Sequence, residues 1–301
     1  MQACELLRNL LDGINGRYRR LRKGRMARNP ARCKTAPRWT GAEQLEPRLL
    51  LSVVPHLLKD INIGTDDSFP VGFVSAAGTT FFTADDGVHG RELWKTDGTG
   101  VGTELVKDIH EGSTGSSPVV FASLGAELLF TADDGIDGRE LWKSDGTEAG
   151  TVLVKELDLG GTQWTSAVLG EELFFGTTGG SVPGLYKSDG TSTGTELIKA
   201  FSRILHLTGV GETLFFLAND GGGSGQEFWK SDGTPEGTVL VKDINPGIFN
   251  SNPLNFTDLN GMVFFSAAGT EGRELWKSDG TKDGTVLVKD MRYNRKLCIA
   301  S

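Results

Sequence analysis

Residues 140–157 read ELWKSDGTEAGTVLVKEL, and close variants of this phrase bring the number of copies in the chain to five. The other copies are ELWKTDGTGVGTELVKDI (92–109), GLYKSDGTSTGTELIKAF (184–201), EFWKSDGTPEGTVLVKDI (227–244) and ELWKSDGTKDGTVLVKDM (274–291). Their aromatic residues lie 48, 44, 43 and 47 positions apart, at Trp94, Trp142, Tyr186, Trp229 and Trp276. A period in the forties with turn residues in every copy is typical of stacked supersecondary units, and β-propeller blades fall in that range.

One period divides naturally into four strands. Within residues 113–157 the candidate strands are VVFASLG, ELLFTADD, RELWKS and TVLVKEL, and the turns DGIDG and DGTEAG separate the last three. Short strands joined by tight Gly- and Asp-rich turns match a propeller blade. The sequence therefore predicts an all-β, propeller-like array of about five four-stranded antiparallel blades, with no helix between positions 60 and 291. A β-solenoid is the alternative, but its coils are usually shorter and lack hairpin turns.

Charge divides the chain into a head and a body. Residues 1–48 carry 12 Lys or Arg and 4 acidic groups, whereas the rest carries 19 basic and 35 acidic groups. We expect a basic, largely disordered leader (1–52), a repeat domain (53–291) and a divergent tail (292–301). A nucleic-acid-binding arm is disfavoured because the acidic body would repel phosphates. The chain contains no apolar run of about eighteen residues, so no transmembrane helix is predicted.

The cysteines do not contribute to this prediction. Cys4 and Cys33 lie in the leader and Cys298 lies in the tail, so the repeats contain none. Their spacing matches no metal site, and no disulfide could cross-link a blade.

The strands do not add up to whole blades. HLLKDIN (56–62) is a sixth copy of the closing strand, with no ELW segment before it. A propeller ring usually closes by lending an N-terminal strand to its last blade, but that blade already has its own fourth strand. Two interpretations remain: a five-bladed ring with a surplus strand, or a fragment of a larger array. The abrupt end of the repeat favours the fragment, whose open edges predict self-association.

The repeats resemble those of bacterial ELWxxDGT-repeat proteins over about 230 of the 301 residues. The third copy departs from the pattern, with Tyr186 for Trp and Gly184 for Glu. In addition, LEPRLLLS (45–52) resembles the LEPR-xLL region at the N-terminus of large exported bacterial proteins. The resemblance implies a secreted or cell-surface location, although the leader lacks the apolar stretch of a standard signal peptide.

The repeated residues are predicted to be structural. The Trp should fill the space between blades, and the Asp of DGT should cap its own turn. If Thr96 pairs with Thr103, Trp94 lies opposite Leu105. The same offset places Glu92 opposite Lys107 and Glu140 opposite Lys155, which predicts opposite-charge pairs across strands. Gly184 would then leave Lys199 unpaired and make the third blade the weakest.

The acidic turn between the second and third strands is the candidate ligand site. Its carboxylates could bind Ca²⁺, the one candidate cofactor, because hard cations prefer oxygen ligands. The EF-hand order is absent, however, and two repeats lack the paired acids, so a solvated turn is favoured and no metal ligand is assigned. The candidate residues are Asp85, Asp86, Asp133, Asp134 and Asp220.

Catalytic signatures are poor. The four histidines, at positions 56, 89, 110 and 206, share no repeat position, and Ser224 does not lie in a G-x-S-x-G elbow. The sequence therefore predicts a non-catalytic secreted or cell-surface scaffold for binding or adhesion, with an extracellular glycan or protein as partner. The alternatives are the accessory propeller of a larger secreted hydrolase and, less favoured, a propeller glycosidase or lyase.

Overall fold

The computed structural model describes residues 55–160 and 163–289. The predictions for the leader (1–52) and for the tail (292–301) lie outside these residues. In the described part every regular element is a β-strand. No helix there is long and apolar enough to cross a membrane.

Twenty strands form five separate antiparallel sheets, each in the order first, second, third, fourth. We call these sheets blades 1 to 5, in chain order. Blade 1 is β1 (Val71–Ala76), β2 (Thr79–Asp85), β3 (Arg91–Thr96) and β4 (Glu104–Lys107); blade 2 is β5 (Val119–Leu124), β6 (Glu127–Asp133), β7 (Arg139–Ser144) and β8 (Val152–Lys155); blade 3 is β9 (Trp164–Leu169), β10 (Glu172–Thr177), β11 (Gly184–Ser188) and β12 (Glu196–Ala200). Blade 4 is β13 (Arg203–Val210), β14 (Thr213–Asn219), β15 (Glu227–Ser231) and β16 (Val239–Lys242); blade 5 is β17 (Leu254–Leu259), β18 (Met262–Gly269), β19 (Gly272–Ser278) and β20 (Val286–Lys289). The predicted propeller-like fold of five four-stranded blades is confirmed.

The second strand of an internal blade is apolar on both faces because a neighbour covers each face. In β6 the five central residues are all buried, with Leu128 and Phe130 on one side and Leu129 on the other. Such a continuous apolar run is expected for a strand in the middle of a layered structure rather than at its surface. First strands of consecutive blades pack together, β1 with β5, β5 with β9, β9 with β13 and β13 with β17. The first strands therefore line a common interior.

The motif aromatic lies between blades, as predicted. Trp142 of blade 2 packs in one buried cluster with Phe81, Leu93 and Val106 of blade 1. Trp229 of blade 4 likewise packs with Phe174 of blade 3. Each blade interface is thus one face of a sheet filled by the large aromatic side chain of the next sheet.

No shared sheet closes the array in the described residues, which confirms the expectation that the ring lacks a shared closing blade. Residues 55–62 form no strand. They nevertheless lie against blade 1, where the Lys59 Nζ donates to the Thr103 carbonyl at 2.5 Å and Ile61 packs beside Trp94. The sixth copy of the fourth strand therefore docks on blade 1 without belonging to a sheet of its own.

Within the described residues, no further blade covers the outer face of blade 5. Leu275 and Val288 are 36% and 42% exposed, whereas the equivalent Leu93 and Val106 of blade 1 are 0% and 5% exposed. These positions are buried in blade 1 because blade 2 lies over them. Blade 5 therefore presents a surface of the kind that blades 1 to 4 bury against their successors.

The register between the third and fourth strands corrects one prediction. Trp94 pairs with Leu105, as predicted, and every other motif aromatic also pairs with a Leu. The pairing of Glu92 with Lys107 is wrong, because Lys107 lies opposite Leu93. Lys155 lies opposite Leu141 in the same way, so its predicted pairing with Glu140 is also wrong. A β-bulge, with Val106 as its extra residue in blade 1, shifts the register by one.

Candidate functional site

The DGT hairpin uses its polar groups internally. In blade 2 the Asp145 Oδ1 accepts hydrogen bonds from the Thr147 N and Oγ1 at 2.8 and 2.7 Å, which confirms the predicted turn cap. These bonds lower the pKa of the exposed Asp145 carboxyl. A Cβ on Gly150 would lie 2.1 Å from the Asp145 Oδ1, so any side chain there would displace the capping carboxylate. The same cap recurs in all five hairpins, at Asp97, Asp145, Asp189, Asp232 and Asp279.

The lysine of the fourth strand connects one blade to the next. The Lys107 Nζ donates to the Thr151 carbonyl of blade 2 at 3.0 Å and lies 5.7 Å from the centre of the Trp142 ring. Equivalent bonds join Lys155 to Thr195, Lys199 to Thr238 and Lys242 to Thr285. The lysine therefore forms no ion pair with a Glu across the strand pair. Its ammonium group instead binds a backbone oxygen and an aromatic face of the following blade. Lys199 has this partner although Gly184 replaces the Glu.

The motif glutamate holds the connection to the next blade. Both oxygens of the buried Glu227 accept hydrogen bonds, from the Ile244 N and the Ser251 N at 2.8 Å and from the Ser251 Oγ at 2.6 Å. Burial raises the pKa of Glu227 to about 7, although the hydrogen bonds oppose that shift. Glu92 does the same in blade 1, where it accepts from the His110 N, the Ser116 N and the Ser116 Oγ. We call this arrangement the glutamate clamp.

Blade 3 has no clamp because it has almost no connection to hold. Only Phe201 and Ser202 separate β12 from β13. Phe201 donates its N–H to the Pro183 carbonyl at 3.0 Å, so the turn needs no carboxylate. A Cβ on Gly184 would lie 2.4 Å from the Lys199 carbonyl oxygen, which leaves no room for a Glu. The clamp was not predicted from the sequence, although Ser116 and Ser251 each follow their Glu by 24 positions.

The predicted ligand residues cap their own turns. Asp85 accepts from the Gly87 N, Asp133 from the Gly135 N and Asp220 from the Gly222 N. Asp134 accepts from the Ile136 N, and Asp86 accepts from the Val88 and His89 backbones and from the His89 Nδ1. Within residues 55–160 and 163–289, no group of three or more His, Cys, Asp or Glu could hold a metal ion. A ligand role for these five aspartates stays a prediction.

A cavity of about 640 Å³ lies where blades 3, 4 and 5 meet. Strands one and three of an antiparallel blade run in the same direction, so their first residues lie at one end of the array. The cavity is built at that end, from residues at or near the start of those strands and one residue of β14. Its lining is Gln163, Trp164, Arg203, Leu205, His206, Leu217, Gln226, Asn252, Leu254 and Arg273.

The two arginines of the cavity are only partly used by the fold. The Arg203 Nη2 donates to the Gln163 Oε1 at 3.0 Å. The Arg273 Nη1 donates to the Asn252 and Ser266 carbonyls at 3.0 and 3.1 Å and to the Ser266 Oγ at 3.2 Å. Each guanidinium has five N–H groups, so both keep unused donors.

His206 stands at a strained position beside these arginines. It has a φ of 61° within a bulge of β13, between Leu205 and Thr208. Burial and the charge of Arg203 lower its pKa. Bulges that re-aim a side chain are common next to binding sites, because the extra residue is freed from the strand ladder.

Comparisons with known proteins identify no family. No protein-family model matches the chain, and no curated protein matches it. Similar solved structures include puromycin hydrolase, at 14% identity over 73% of this chain and 39% of that one, with a TM-score of 0.43. They also include the β-propeller domain of the Trilobed protease from Pyrococcus furiosus (11% identity, 74% and 72% covered, TM-score 0.44) and a nidogen/laminin complex (13%, 71% and 76%, 0.40). The chain thus spans about two fifths of the length of the hydrolase.

Proposed function

We propose that this protein is a non-catalytic, secreted or cell-surface scaffold that binds an extracellular glycan or protein. Its repeated polar residues are used by the fold, as turn caps in the DGT hairpins, as ties in the fourth strands and as clamps at Glu92 and Glu227. Ligand recognition is therefore expected from polar groups that these fold contacts leave unused. The location rests on the resemblance of LEPRLLLS (45–52) to exported bacterial proteins.

The cavity between blades 3, 4 and 5 is the observation that carries this proposal. At about 640 Å³ it lies within the range of about 300–1,000 Å³ that is usual for small-ligand sites. Three amide side chains in its lining, Gln163, Gln226 and Asn252, belong to no repeated motif. A rigid scaffold that presents variable side chains at one end is the usual design of a binding module.

A glycan and matrix-protein array tests the proposal. The full chain should bind at least one class of ligand, and Gln163→Trp should weaken binding at least tenfold by filling the cavity entrance. Ser192→Trp is the matched control, since Ser192 is equally exposed but lies in a DGT hairpin outside the cavity. Absence of binding to every ligand, or equal losses in both variants, would contradict the proposed function.

The uncovered face of blade 5 supports a second proposal, that the array is the accessory propeller of a larger secreted hydrolase. Leu275 and Val288 would then be covered by a further part of such a protein. In isolation the same face should make the chain self-associate, because contiguous exposed apolar surface favours contact. Sedimentation velocity should show concentration-dependent association that Leu275→Lys abolishes; a monomer at all concentrations would contradict it.

A further inference from the structure

We propose that the cavity between blades 3, 4 and 5 binds the carboxylate of an acidic saccharide, with Arg203 and Arg273 as its charged contacts. This inference rests on the proposed binding function and specifies its ligand. Neither arginine belongs to the candidate residues that the sequence indicated. Both line the cavity, and they come from different blades, so a ligand between them would bridge blades 4 and 5.

The charge of the cavity is opposite to that of the body around it. Beyond residue 48 the chain carries 35 acidic and 19 basic groups, yet the cavity lining holds two arginines and no Asp or Glu. A second cavity, of about 560 Å³, shows the contrary pattern, with Glu171, Glu172 and Asp189 and no basic residue. A local cationic site in an acidic protein concentrates field lines and favours an anionic ligand there over the acidic second cavity.

The guanidinium groups are available for that anion. Arg203 uses one N–H, to Gln163, and its Nη1 has no partner among the described residues. Arg273 uses only its Nη1, so its Nη2 stays unused in the same set of residues. Guanidinium donors in a planar fork match the two oxygens of a carboxylate, and such charge-assisted pairs are stronger than neutral hydrogen bonds.

The remaining lining favours a sugar as the carrier of the carboxylate. The amides of Gln163, Gln226 and Asn252 combine donors and acceptors, as hydroxyl groups require. The half-buried Trp164, with Leu205 and Leu254, adds an apolar wall on which the C–H face of a sugar ring can pack. An acidic peptide would also use the arginines and would pair its backbone groups with the amides, so oligoglutamate is the competing ligand in the test.

Calorimetry with trigalacturonic acid and its methyl ester tests the inference on the full chain. The acid should bind, and the ester, which has the same skeleton without charge, should bind at least tenfold more weakly. Arg203→Gln and Arg273→Gln should each weaken binding of the acid at least tenfold. Arg91→Gln is the matched control, because Arg91 holds the equivalent position in blade 1 but lies outside the cavity. Arg91 donates to the Phe69 and Thr83 carbonyls and to the Thr83 Oγ1, which correspond to the acceptors of Arg273 in blade 5.

The outcomes separate this inference from the proposed function. Equal binding of acid and ester, or unchanged binding in both arginine variants, overturns the charge recognition and leaves a neutral binding site. Arginine-dependent binding of oligoglutamate without binding of trigalacturonic acid overturns the saccharide. Failure of every glycan and protein probe overturns both proposals. Thermal unfolding of Arg273→Gln and Arg91→Gln should shift equally, which shows that any difference in binding comes from the cavity.

Discussion

The connections that leave blades 3 and 4 differ in length and in what holds them. After blade 4, residues 243–253 cross to β17, and Glu227 binds two backbone N–H groups and a hydroxyl of that crossing. After blade 3, only Phe201 and Ser202 cross to β13, and a glycine stands where the Glu would be. In blades 1 and 4 the motif glutamate thus accepts hydrogen bonds from a long connection, whereas neither oxygen of the buried Glu140 in blade 2 has a hydrogen-bond partner among the described residues. The motif glutamate is absent where the chain turns tightly.

The comparison predicts its largest effect at Glu227. Glu227→Ala should lower the free energy of unfolding by about 3 kcal/mol or more, because three buried donors lose their acceptor. Urea denaturation measures the change. Glu236→Ala, in the exposed part of the same blade, is the control and should change it by less than about 0.5 kcal/mol. A small effect at Glu227 would mean that the clamp does not hold the connection.

Blade 3 should not tolerate a side chain at position 184, where the other blades carry a Glu. Gly184→Ala should cost about 2 kcal/mol, since its Cβ would lie 2.4 Å from the Lys199 carbonyl oxygen and the strands must move apart. The same measurement on Gly269→Ala, where a Cβ meets only ordinary contacts at 3.8 Å, should show little change. Equal tolerance at both glycines would remove the steric reason for the missing Glu.

The clamp also predicts a pH dependence. Burial raises the pKa of Glu227 from its usual 4.5 to about 7, so between these values the folded protein binds more protons than the unfolded chain. The free energy of unfolding should therefore fall as the pH rises from about 4.5 to 7, by at most about 1.4 kcal/mol per pH unit for this group. Glu227→Gln should show a correspondingly flatter profile. An unchanged slope would show that Glu227 titrates normally.

The smallest effect concerns the pair that the sequence indicated. A double-mutant cycle on Glu140 and Lys155 should give a coupling energy below about 0.5 kcal/mol, because Lys155 binds the Thr195 carbonyl of blade 3. Thermal or urea unfolding of the two single variants and the double variant gives this value. A coupling above about 1 kcal/mol would restore the cross-strand ion pair.

The sequence predicted the parts of the fold that depend on local patterns. Blade number, strand order, the Trp94–Leu105 pairing and the DGT turn cap follow from a period, alternating apolar residues and turn chemistry. The Glu92–Lys107 pairing failed because alternation assumes one residue opposite one, and the bulge at Val106 breaks that rule. Nothing in the local pattern marks the bulge, since a buried Val suits a regular strand equally well.

The candidate cavity could not be predicted from the repeat. Its residues lie up to 110 positions apart, from Gln163 to Arg273, and even equivalent positions carry different side chains, as at Gln226 and Arg273. Arg203 and His206 lie in the one repeat whose first strand follows an almost absent connection. A period shows which positions the blades share, whereas the cavity depends on which side chains three adjacent blades place at those positions.

The lysine tie gives the array a direction, like the head and tail of a polymer. At each of the four interfaces, a lysine of one blade donates to a carbonyl in the DGT hairpin of the next blade. The two sides of an interface therefore differ, and no interface is symmetric. Duplication of any whole period would place a fourth-strand lysine opposite a hairpin carbonyl at both new interfaces. New copies would thus fit without any new contact surface, and the length of such an array can change through gene duplication while its interfaces stay the same.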